Sequence, residues 1–482
     1  MKRPKYKQII EYIKEKIGNG EWPIGSKIPS QRTLARQFNV NRSTVITALE
    51  ELAADGLIEG RMGKGTVVVS NTWTLLANRS SPDWGKYVAA GFQQPSRKTV
   101  QEINQSESNP ALVQLSKGEL SKDMFPLSVM KEMMGKVAHR LEAFGYEEPK
   151  GYLPLREALS RYLRTIGIQA SPASILIVSG ALQALQLISM GILQSGSTVF
   201  LDRPSYLYSL HVFQSAGMKL SGLPMDEAGH LPQMIGAAPR GRSILYTNPC
   251  FQNPTGVLMS QKRREEVLGL SEKEQLPIIE DDIYRELWID QAPPPPIKSM
   301  DQNGHVLYIG SFSKTLSPGL RIGWIVGPEP VIERLSDIKM QTDYGSSSLS
   351  QRVAAEWLTN GHYQKHLENV REQLKKRRDF VLEVLEEHLK GFASWNVPKG
   401  GFFIWLNILP TLSMKSLYAK ALAEGILLNS GSIYAQENGN FIRLSYAFAS
   451  LEDLEKGIYQ LSLIIKVLAK ESGKKSKMPP GI

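Results

Sequence analysis

The sequence predicts an α/β protein in which a small N-terminal domain precedes a large domain built around a mostly parallel sheet. Two observations support this fold class. Residues 1–70 carry helical periodicity followed by a Gly-rich hairpin pattern, whereas from about 113 to 470 short apolar runs alternate with longer helical stretches. Such alternation is typical of parallel strands with helices on both faces of the sheet.

The composition is that of a globular protein in a reducing compartment. The chain has 482 residues, 42% of them hydrophobic and 22% charged, which is enough for a sizeable core. Cys250 is the only cysteine, so an internal disulfide and a zinc site of several cysteines are both excluded, and we expect no metal site. The N-terminus lacks an apolar signal core, and no run of about 18 apolar residues follows, which predicts a cytoplasmic protein without a membrane span.

The first 70 residues predict three short helices and a hairpin. Apolar residues recur at helical spacing over 5–17, Ser30 is a good N-cap for a second helix, and Asn41 or Ser43 can begin a third. The segment LIEGRMGKGTVVV then predicts two strands around a Gly-rich turn. This order of elements is the layout of a winged helix-turn-helix.

The third predicted helix begins with residues suited to DNA. In a helix-turn-helix the second helix of the motif enters the major groove with its N-terminal residues against the base edges. Arg42 can bind guanine through two hydrogen bonds, and Ser43 and Thr44 can reach phosphates. Residues 1–70 hold 12 Lys and Arg against 7 Asp and Glu, a net +5, although a solvated basic surface is the alternative for charge alone. Further candidates are Arg32, Arg36 and the hairpin residues Arg61, Gly63, Lys64 and Gly65.

Changes in composition predict the domain boundaries. The DNA-binding domain is assigned to 1–70, a Ser-, Asn- and Gln-rich linker to 71–112, the large domain to 113–472 and a disordered basic tail to 473–482. The linker has room for a short helix around Trp84–Ala90. As a flexible coil its roughly 40 residues span roughly 35 Å, close to one turn of DNA. Within the large domain, residues from about 365 to 470 predict a smaller C-terminal α+β lobe.

Six apolar runs are predicted to be strands of the large sheet. They are Ile175–Val178, Thr198–Leu201, Ser243–Tyr246, Pro277–Glu280, Val306–Ile309 and Ile322–Val326. Segments rich in hydroxyl, amide and charged side chains follow several of these runs. The candidate functional residues of the large domain are therefore placed at the ends of strands.

Lys314 lies just after one such run, in the segment SFSKTLSPGLR. A lone lysine is usually a surface charge, but pyridoxal 5′-phosphate (PLP) requires a lysine whose neutral amine forms a Schiff base with its aldehyde. The 5′-phosphate requires hydroxyls and a fixed cation, which Ser311, Ser313 and Arg321 can supply. The segment therefore indicates a PLP site.

Three further segments complete this set. Asp281 ends an acidic strand and can keep a pyridine nitrogen protonated, so that the ring acts as an electron sink. Tyr284 and Asn253 can hydrogen-bond the ring oxygen. A helix N-terminus whose backbone amides can hold phosphate is formed by Ser179, Gly180 and Ala181. Each motif alone is commonly structural, as a turn, a helix start or a helix cap; their joint order favours the functional interpretation.

The N-terminal segment PSQRTLARQFNVNRSTVITALEELAADGLIEGRMGKGTVV resembles the winged-helix domain of GntR-type bacterial regulators over residues 4–69. The resemblance implies DNA contacts at Arg32, Arg42, Thr44 and Gly63–Gly65. Ile46 stands where some members carry another basic residue, so the resemblance implies no base preference at that position.

Residues from about 113 to 470 resemble fold-type I aminotransferases of class I/II. The resemblance implies that Lys314 is the Schiff-base lysine and Asp281 the pyridinium partner, with Asn253 and Tyr284 at the ring oxygen. It also implies that Tyr206 stacks on the ring, that Tyr146 reaches the phosphate from the partner subunit, and that Arg443 binds a carboxylate of a substrate or effector.

A GntR-type domain joined to this fold resembles the MocR subfamily, which implies a homodimer. We expect a PLP-dependent transcription regulator that binds double-stranded DNA and senses a small amino compound through formation of an external aldimine. The alternative is a catalytically active aminotransferase with an attached DNA-binding domain, since every residue required for proton transfer is present. A dimerisation scaffold without cofactor is a third hypothesis, against which the intact site argues.

Overall fold

The computed structural model describes residues 4–61, 65–70, 87, 90–91, 98–142, 145–235, 242–435 and 439–475. The chain divides into two compact units, Met1–Gly91 and Phe92–Ile482. Three predicted features lie wholly or mostly outside the described residues: the hairpin tip at 62–64, the short helix around Trp84–Ala90 and the end of the tail at 476–482.

The N-terminal unit has the predicted winged-helix elements. They are α1 (Lys5–Gly18), α2 (Gln31–Phe38), α3 (Arg42–Ala54) and the antiparallel strands β1 (Ile58–Arg61) and β2 (Gly65–Val68). The Ser30 hydroxyl accepts the backbone N–H of Thr33, which confirms its predicted role as N-cap of α2. Asn39 ends α2 in the left-handed region, with φ of 49°, and this turn directs the chain into α3.

One hydrophobic core holds the three helices and the hairpin together. Its fully buried members are Ile9, Ile13, Leu34, Val45, Ala48, Leu52, Leu57 and Val68. Because the buried positions of α3 recur three and four residues apart, the opposite face of that helix is left to solvent.

The large unit alternates helices and strands as predicted. Its helices are α4 (Lys98–Ser106), α5 (Leu127–His139), α6 (Leu153–Thr165), α7 (Ala181–Gly191), α8 (Val212–Ser215), α9 (Gln261–Glu274), α10 (Ile297–Met300), α11 (Glu329–Thr342), α12 (Ser348–Thr359), α13 (His362–Leu389), α14 (Met414–Ala423) and α15 (Leu451–Lys475). Its strands are β3 (Val113–Gln114), β4 (Ile175–Val178), β5 (Thr198–Arg203), β6 (Lys219–Asp226), β7 (Gly229–His230), β8 (Ser243–Thr247), β9 (Ile278–Asp281), β10 (Val306–Ser311), β11 (Gly323–Val326), β12 (Ala393–Trp395), β13 (Phe403–Ile408), β14 (Ile426–Leu427), β15 (Asn429–Ser430) and β16 (Phe441–Ser445).

Eight described strands form the main sheet, in the order β4–β11–β10–β9–β8–β5–β6–β7. The central strands β10, β9, β8, β5 and β6 are parallel, which confirms the predicted mostly parallel sheet. Strand β11 is antiparallel to both of its neighbours, and β7 is antiparallel to β6.

Strand β4 shows how both faces of this sheet are covered. Ile175 and Ile177 belong to one hydrophobic core, whereas Leu176 and Val178 belong to another. Because side chains alternate along a strand, the two cores lie on opposite faces of the sheet. A strand buried on both faces is a continuous apolar run, which is the pattern that predicted these strands.

A smaller antiparallel sheet of the order β12–β13–β16–β15 packs with α13 and α15 and forms the predicted α+β lobe. Strand β3 pairs in parallel with β14, so the start of the large domain is tied to this lobe. Within the described part of the chain, every helix is too short or too polar to cross a membrane.

Helix α4 lies inside the stretch predicted to be a linker. Its Val100 and Ile103 are buried against Ile433 and Tyr434 of the large unit. Only two apolar side chains carry this contact, so the periodicity of the segment is weak and the sequence did not predict the helix. At the other end, α15 continues to Lys475, three residues into the predicted tail.

Candidate functional site

A cavity of about 410 Å³ opens where the carboxyl ends of the parallel strands meet. Tyr206 follows β5, Asn248 follows β8, and Asp281 and Ser311 end β9 and β10. In open α/β sheets this edge is the usual place of a ligand site, because the loops that leave the strands converge there. The topology therefore gathers the side chains that the sequence placed at separate strand ends.

Lys314 lies in the wall of this cavity, and its amine donates to the backbone oxygen of Gly118 at 2.7 Å. Removal from bulk water lowers the pKa of Lys314 to about 8, while the nearby carboxylate of Glu119 acts in the opposite direction. A substantial fraction of the amine is therefore neutral near physiological pH. A neutral amine is the form that attacks an aldehyde.

Asp281 is buried at the floor of the cavity. Burial raises the pKa of Asp281 to about 6, although the hydroxyl of Tyr246, which donates to Oδ2 at 2.7 Å, lowers it. Oδ1 is buried and has no hydrogen-bond partner among the described residues. Buried acceptors are almost always paired, so this atom marks a place for a ligand donor such as a protonated ring nitrogen.

Tyr284, Asn253 and Arg443 form one buried chain of hydrogen bonds beside Asp281. Nδ2 of Asn253 donates to the Tyr284 hydroxyl at 3.4 Å, and Oδ1 of Asn253 accepts Nη1 of Arg443 at 2.8 Å. Burial raises the pKa of Tyr284, so its phenol stays protonated. The two residues predicted at a ring oxygen are thus brought together with the predicted carboxylate-binding arginine.

Arg443 is held from several sides yet keeps one donor unused. Its Nη2 donates to the backbone oxygen of Ser116 at 2.8 Å, and its guanidinium lies over the Phe403 ring, 4.1 Å from the centroid. Its Nε is buried without a partner among the described residues. A fixed cation with a spare donor in a cavity is suited to a ligand carboxylate.

The predicted phosphate-binding residues meet at the start of α7. Nη2 of Arg321 donates to the backbone oxygen of Ser179 at 2.7 Å. Gly180 has φ of 94°, and a Cβ there would lie 2.7 Å from the same Nη2, so glycine is required. The N–H of Ser179 already donates to Gln183, which leaves the helix N-terminus at Gly180 and Ala181 for an anion.

Hydroxyl groups complete this end of the cavity. The hydroxyl of Ser311 donates to that of Ser313 at 3.1 Å, and both residues line the cavity with Arg321. Hydroxyls and a guanidinium near a helix N-terminus are the donors that a phosphate ester requires. The residues present therefore fit a phosphorylated pyridine cofactor.

Two predicted aromatic residues occupy different places. Tyr206 lines the cavity and is 40% exposed as a residue, which suits it to stack on a ligand ring. Tyr146 does not line the cavity; it is 82% exposed and packs edge-on against Tyr344 with centroids 4.8 Å apart. Its predicted contact with the phosphate of a partner subunit remains a prediction.

One wall of the cavity is supplied by α4 and the residue that follows it, and this wall was not predicted from the sequence. The lining residues of this segment are Val100, Ile103, Asn104 and Glu107. Their spacing of three, four and seven residues is that of one helical face, and this spacing is the signal that could have identified them. These four residues belong to no known motif. Because two of them are polar, the segment lacks the apolar periodicity that would have predicted a helix.

In the N-terminal unit, the predicted DNA-contacting residues lie at the surface. Arg42, Ser43 and Thr44 form the first turn of α3, and Nε of Arg42 donates to Oε1 of Gln31 at 3.0 Å. Arg32 and Arg36 are exposed on α2. The Arg61 side chain and residues 62–64 lie outside the described residues, whereas Gly65 begins β2 with φ of 84°.

Comparison with protein families identifies two matched regions. Residues 5–68 match the gntR family of bacterial regulatory proteins, and residues 110–461 match aminotransferase class I and II. The chain is 77% identical to the HTH-type transcriptional regulator YdfD of Bacillus subtilis, over 97% of this chain and 98% of that protein. The chain belongs to the MocR subfamily of GntR-type transcriptional regulators. This MocR regulator is also 38% identical to the HTH-type transcriptional regulator NorG of Staphylococcus aureus, over 91% of this chain and 99% of that protein.

Solved structures similar to the MocR regulator include several aminotransferases. A multiple substrate aminotransferase from Thermococcus profundus matches with a TM-score of 0.76 at 29% identity, over 81% of this chain and 100% of that one. LysN, an α-aminoadipate aminotransferase from Thermus thermophilus solved with a phosphopyridoxyl-leucine, matches with a TM-score of 0.73 at 29% identity, over 81% of this chain and 100% of that one. The large unit of the regulator therefore has the aminotransferase fold.

Proposed function

We propose that this regulator holds PLP on Lys314 and uses it to sense a small amino compound, while its N-terminal unit binds double-stranded DNA. One observation carries the proposal: the buried Oδ1 of Asp281, which has no hydrogen-bond partner among the described residues, belongs to a residue that lines the same cavity as Lys314, whose pKa is lowered to about 8. The carboxylate oxygen can accept a hydrogen bond from the protonated ring nitrogen of PLP, and the lysine amine can react with its aldehyde.

Residues in and beside the cavity would each hold one part of the cofactor. Gly180, Ser311, Ser313 and Arg321 would hold its phosphate, Asn253 and Tyr284 its ring oxygen, Asp281 its ring nitrogen and Tyr206 its face. When bound, PLP supplies an aldehyde that captures amines and a ring that withdraws electrons. Tyr146 of a second copy of the chain would complete the phosphate site in a homodimer.

The amino compound would exchange its own amine for that of Lys314, and Arg443 would bind its carboxylate if it has one. Lys314 would then be released as a free amine beside the oxygen of Gly118. Any effect on DNA binding requires that the compound bind two arrangements of the protein with different affinity. Helix α4, which lines the cavity, is continuous in sequence with the segment that leads from the N-terminal unit.

A working aminotransferase is the second candidate, because the cavity also holds a base. A released Lys314 with a pKa of about 8 is suited to move a proton near neutral pH. All the described residues that such chemistry requires line the same cavity. Regulation and turnover differ only in whether the captured compound leaves as product.

The test is the absorption spectrum of the cofactor-loaded full chain during addition of a panel of amino compounds and then of an oxo acid. A band that shifts with a compound and stays shifted supports sensing. A band that bleaches and returns repeatedly with oxo acid supports turnover. Absence of any cofactor band after incubation with PLP contradicts both.

A further inference from the structure

The charged side chains that line the cavity, apart from one, have partners among the described residues. Lys314 donates to Gly118, Asp281 accepts from Tyr246, Arg321 donates to Ser179, Arg443 donates to Asn253, and Lys117 pairs with Glu119 at 3.5 Å. The exception is Glu107, whose carboxylate makes no hydrogen bond or ion pair within the described chain. This carboxylate is therefore available to a ligand.

Glu107 faces the cavity from a different wall than the cofactor residues. It follows α4 and continues the face formed by Val100, Ile103 and Asn104. Burial raises the pKa of Glu107, although the positive charges of Arg443, Lys117 and Lys314 act in the opposite direction and Glu119 acts with the burial. The half-buried carboxylate has thus lost part of its hydration without a direct partner among the described residues, and a ligand cation placed against it would recover part of that loss.

We infer that Glu107 binds a second cationic group of the effector, so that the effector is an amino acid whose side chain ends in an amine or a guanidine. The inference rests on the proposed function, which supplies the other two contacts: the reacting amine near Lys314 and the carboxylate at Arg443. A ligand with a neutral side chain leaves the half-buried Glu107 without a partner among the described residues, and such a loss is how a site rejects a close analogue.

Glu119 is less suited to this role, although it lies in the same cavity. It is already paired with Lys117, whose amine also lies 4.4 Å from the centroid of the Phe448 ring. Its charge adds to the negative potential near Glu107 without offering a free carboxylate. The selectivity is therefore assigned to Glu107.

The test is a spectral titration of the cofactor-loaded full chain with L-lysine and with L-norleucine, which has the same carbon chain without the terminal amine. We expect half-saturation by lysine at a concentration on the order of 10-fold lower or more, as for a hydrogen bond to a charged group. In Glu107→Gln the difference between the two ligands should fall below about 3-fold. Glu102→Gln, an exposed substitution in the adjoining helix α4, is the matched control and should keep the wild-type preference.

Charge reversal sharpens the test. Glu107→Lys should lose the preference for lysine and favour L-glutamate over L-norleucine. Equal half-saturation by lysine and norleucine in the wild type overturns the inference and leaves the proposed function standing. Retained preference for lysine in Glu107→Gln, with a normal cofactor band, also overturns it. A cofactor band that responds to none of these compounds overturns both the inference and the sensing function.

Discussion

The two units of this regulator present their functional groups in opposite ways. The first turn of α3 and the arginines of α2 lie at the surface, whereas Lys314 and Asp281 lie in a cavity beside the hydrogen-bonded chain of Tyr284, Asn253 and Arg443. Exposed groups that each contact a separate site contribute almost independently, but groups in one buried network do not. We therefore expect additive substitutions in the N-terminal unit and strongly coupled ones in the large unit.

The largest effect is expected for Lys314→Ala, which removes the only atom proposed to form a covalent bond with the cofactor. The variant should lose the absorption band and, after borohydride reduction, the cofactor adduct in the intact mass. Lys117→Ala, at another lysine of the cavity wall, is the control and should keep both. An adduct that persists in Lys314→Ala would show that another residue carries the cofactor.

Asp281→Asn is expected to weaken PLP binding by about 1.5–3 kcal/mol, because a charged acceptor is lost from the floor of the cavity. The measurement is a titration of the apo-protein with PLP at constant pH. Unchanged affinity would mean that the buried Oδ1 does not face the ring nitrogen.

Arg42→Ala tests the other side of the comparison. Loss of a two-bond contact with a base should cost about 1–3 kcal/mol on DNA selected by the full chain from a random library, and little on random DNA. Lys5→Ala, an exposed cation of α1, is the control. In the double variant with Arg32→Ala, the loss of binding free energy should equal the sum of the two single losses. If Arg42→Ala weakens binding to selected and random DNA equally, Arg42 only positions the protein on DNA.

Tyr246→Phe is expected to have the smallest effect, about 0.5–1.5 kcal/mol in PLP affinity, because one hydrogen bond to Asp281 is lost. The Tyr246 hydroxyl lowers the pKa of Asp281, so its loss raises that pKa above about 6. A larger share of Asp281 is then protonated at pH 6 than at pH 8. The affinity loss should therefore be greater at pH 6, and in the Asp281→Asn background it should nearly vanish.

Much of this arrangement could be predicted from the sequence, because the candidate functional residues come at or just after the ends of predicted strands. Apolar runs buried on both faces identified the strands, and Asp281, Ser311 and Lys314 lie where such runs end. The antiparallel direction of β11 could not be predicted, since an apolar run does not show its direction. That Oδ1 of Asp281 has no partner among the described residues also could not be predicted, because the hydroxyl that pairs with Oδ2 instead belongs to Tyr246, which lies 35 residues away in the chain.

Helix α4 determines where a fragment that contains the complete large unit must begin. The aminotransferase match begins at residue 110, after this helix has ended. A protein that began there would keep Lys314 and Asp281 but would lose Val100 and Ile103, and so uncover Tyr434. We expect such a fragment to bind cofactor while discriminating poorly among amino compounds, because one side of its cavity would open to water. A boundary drawn by family similarity alone would thus remove the part of the chain that chooses the ligand.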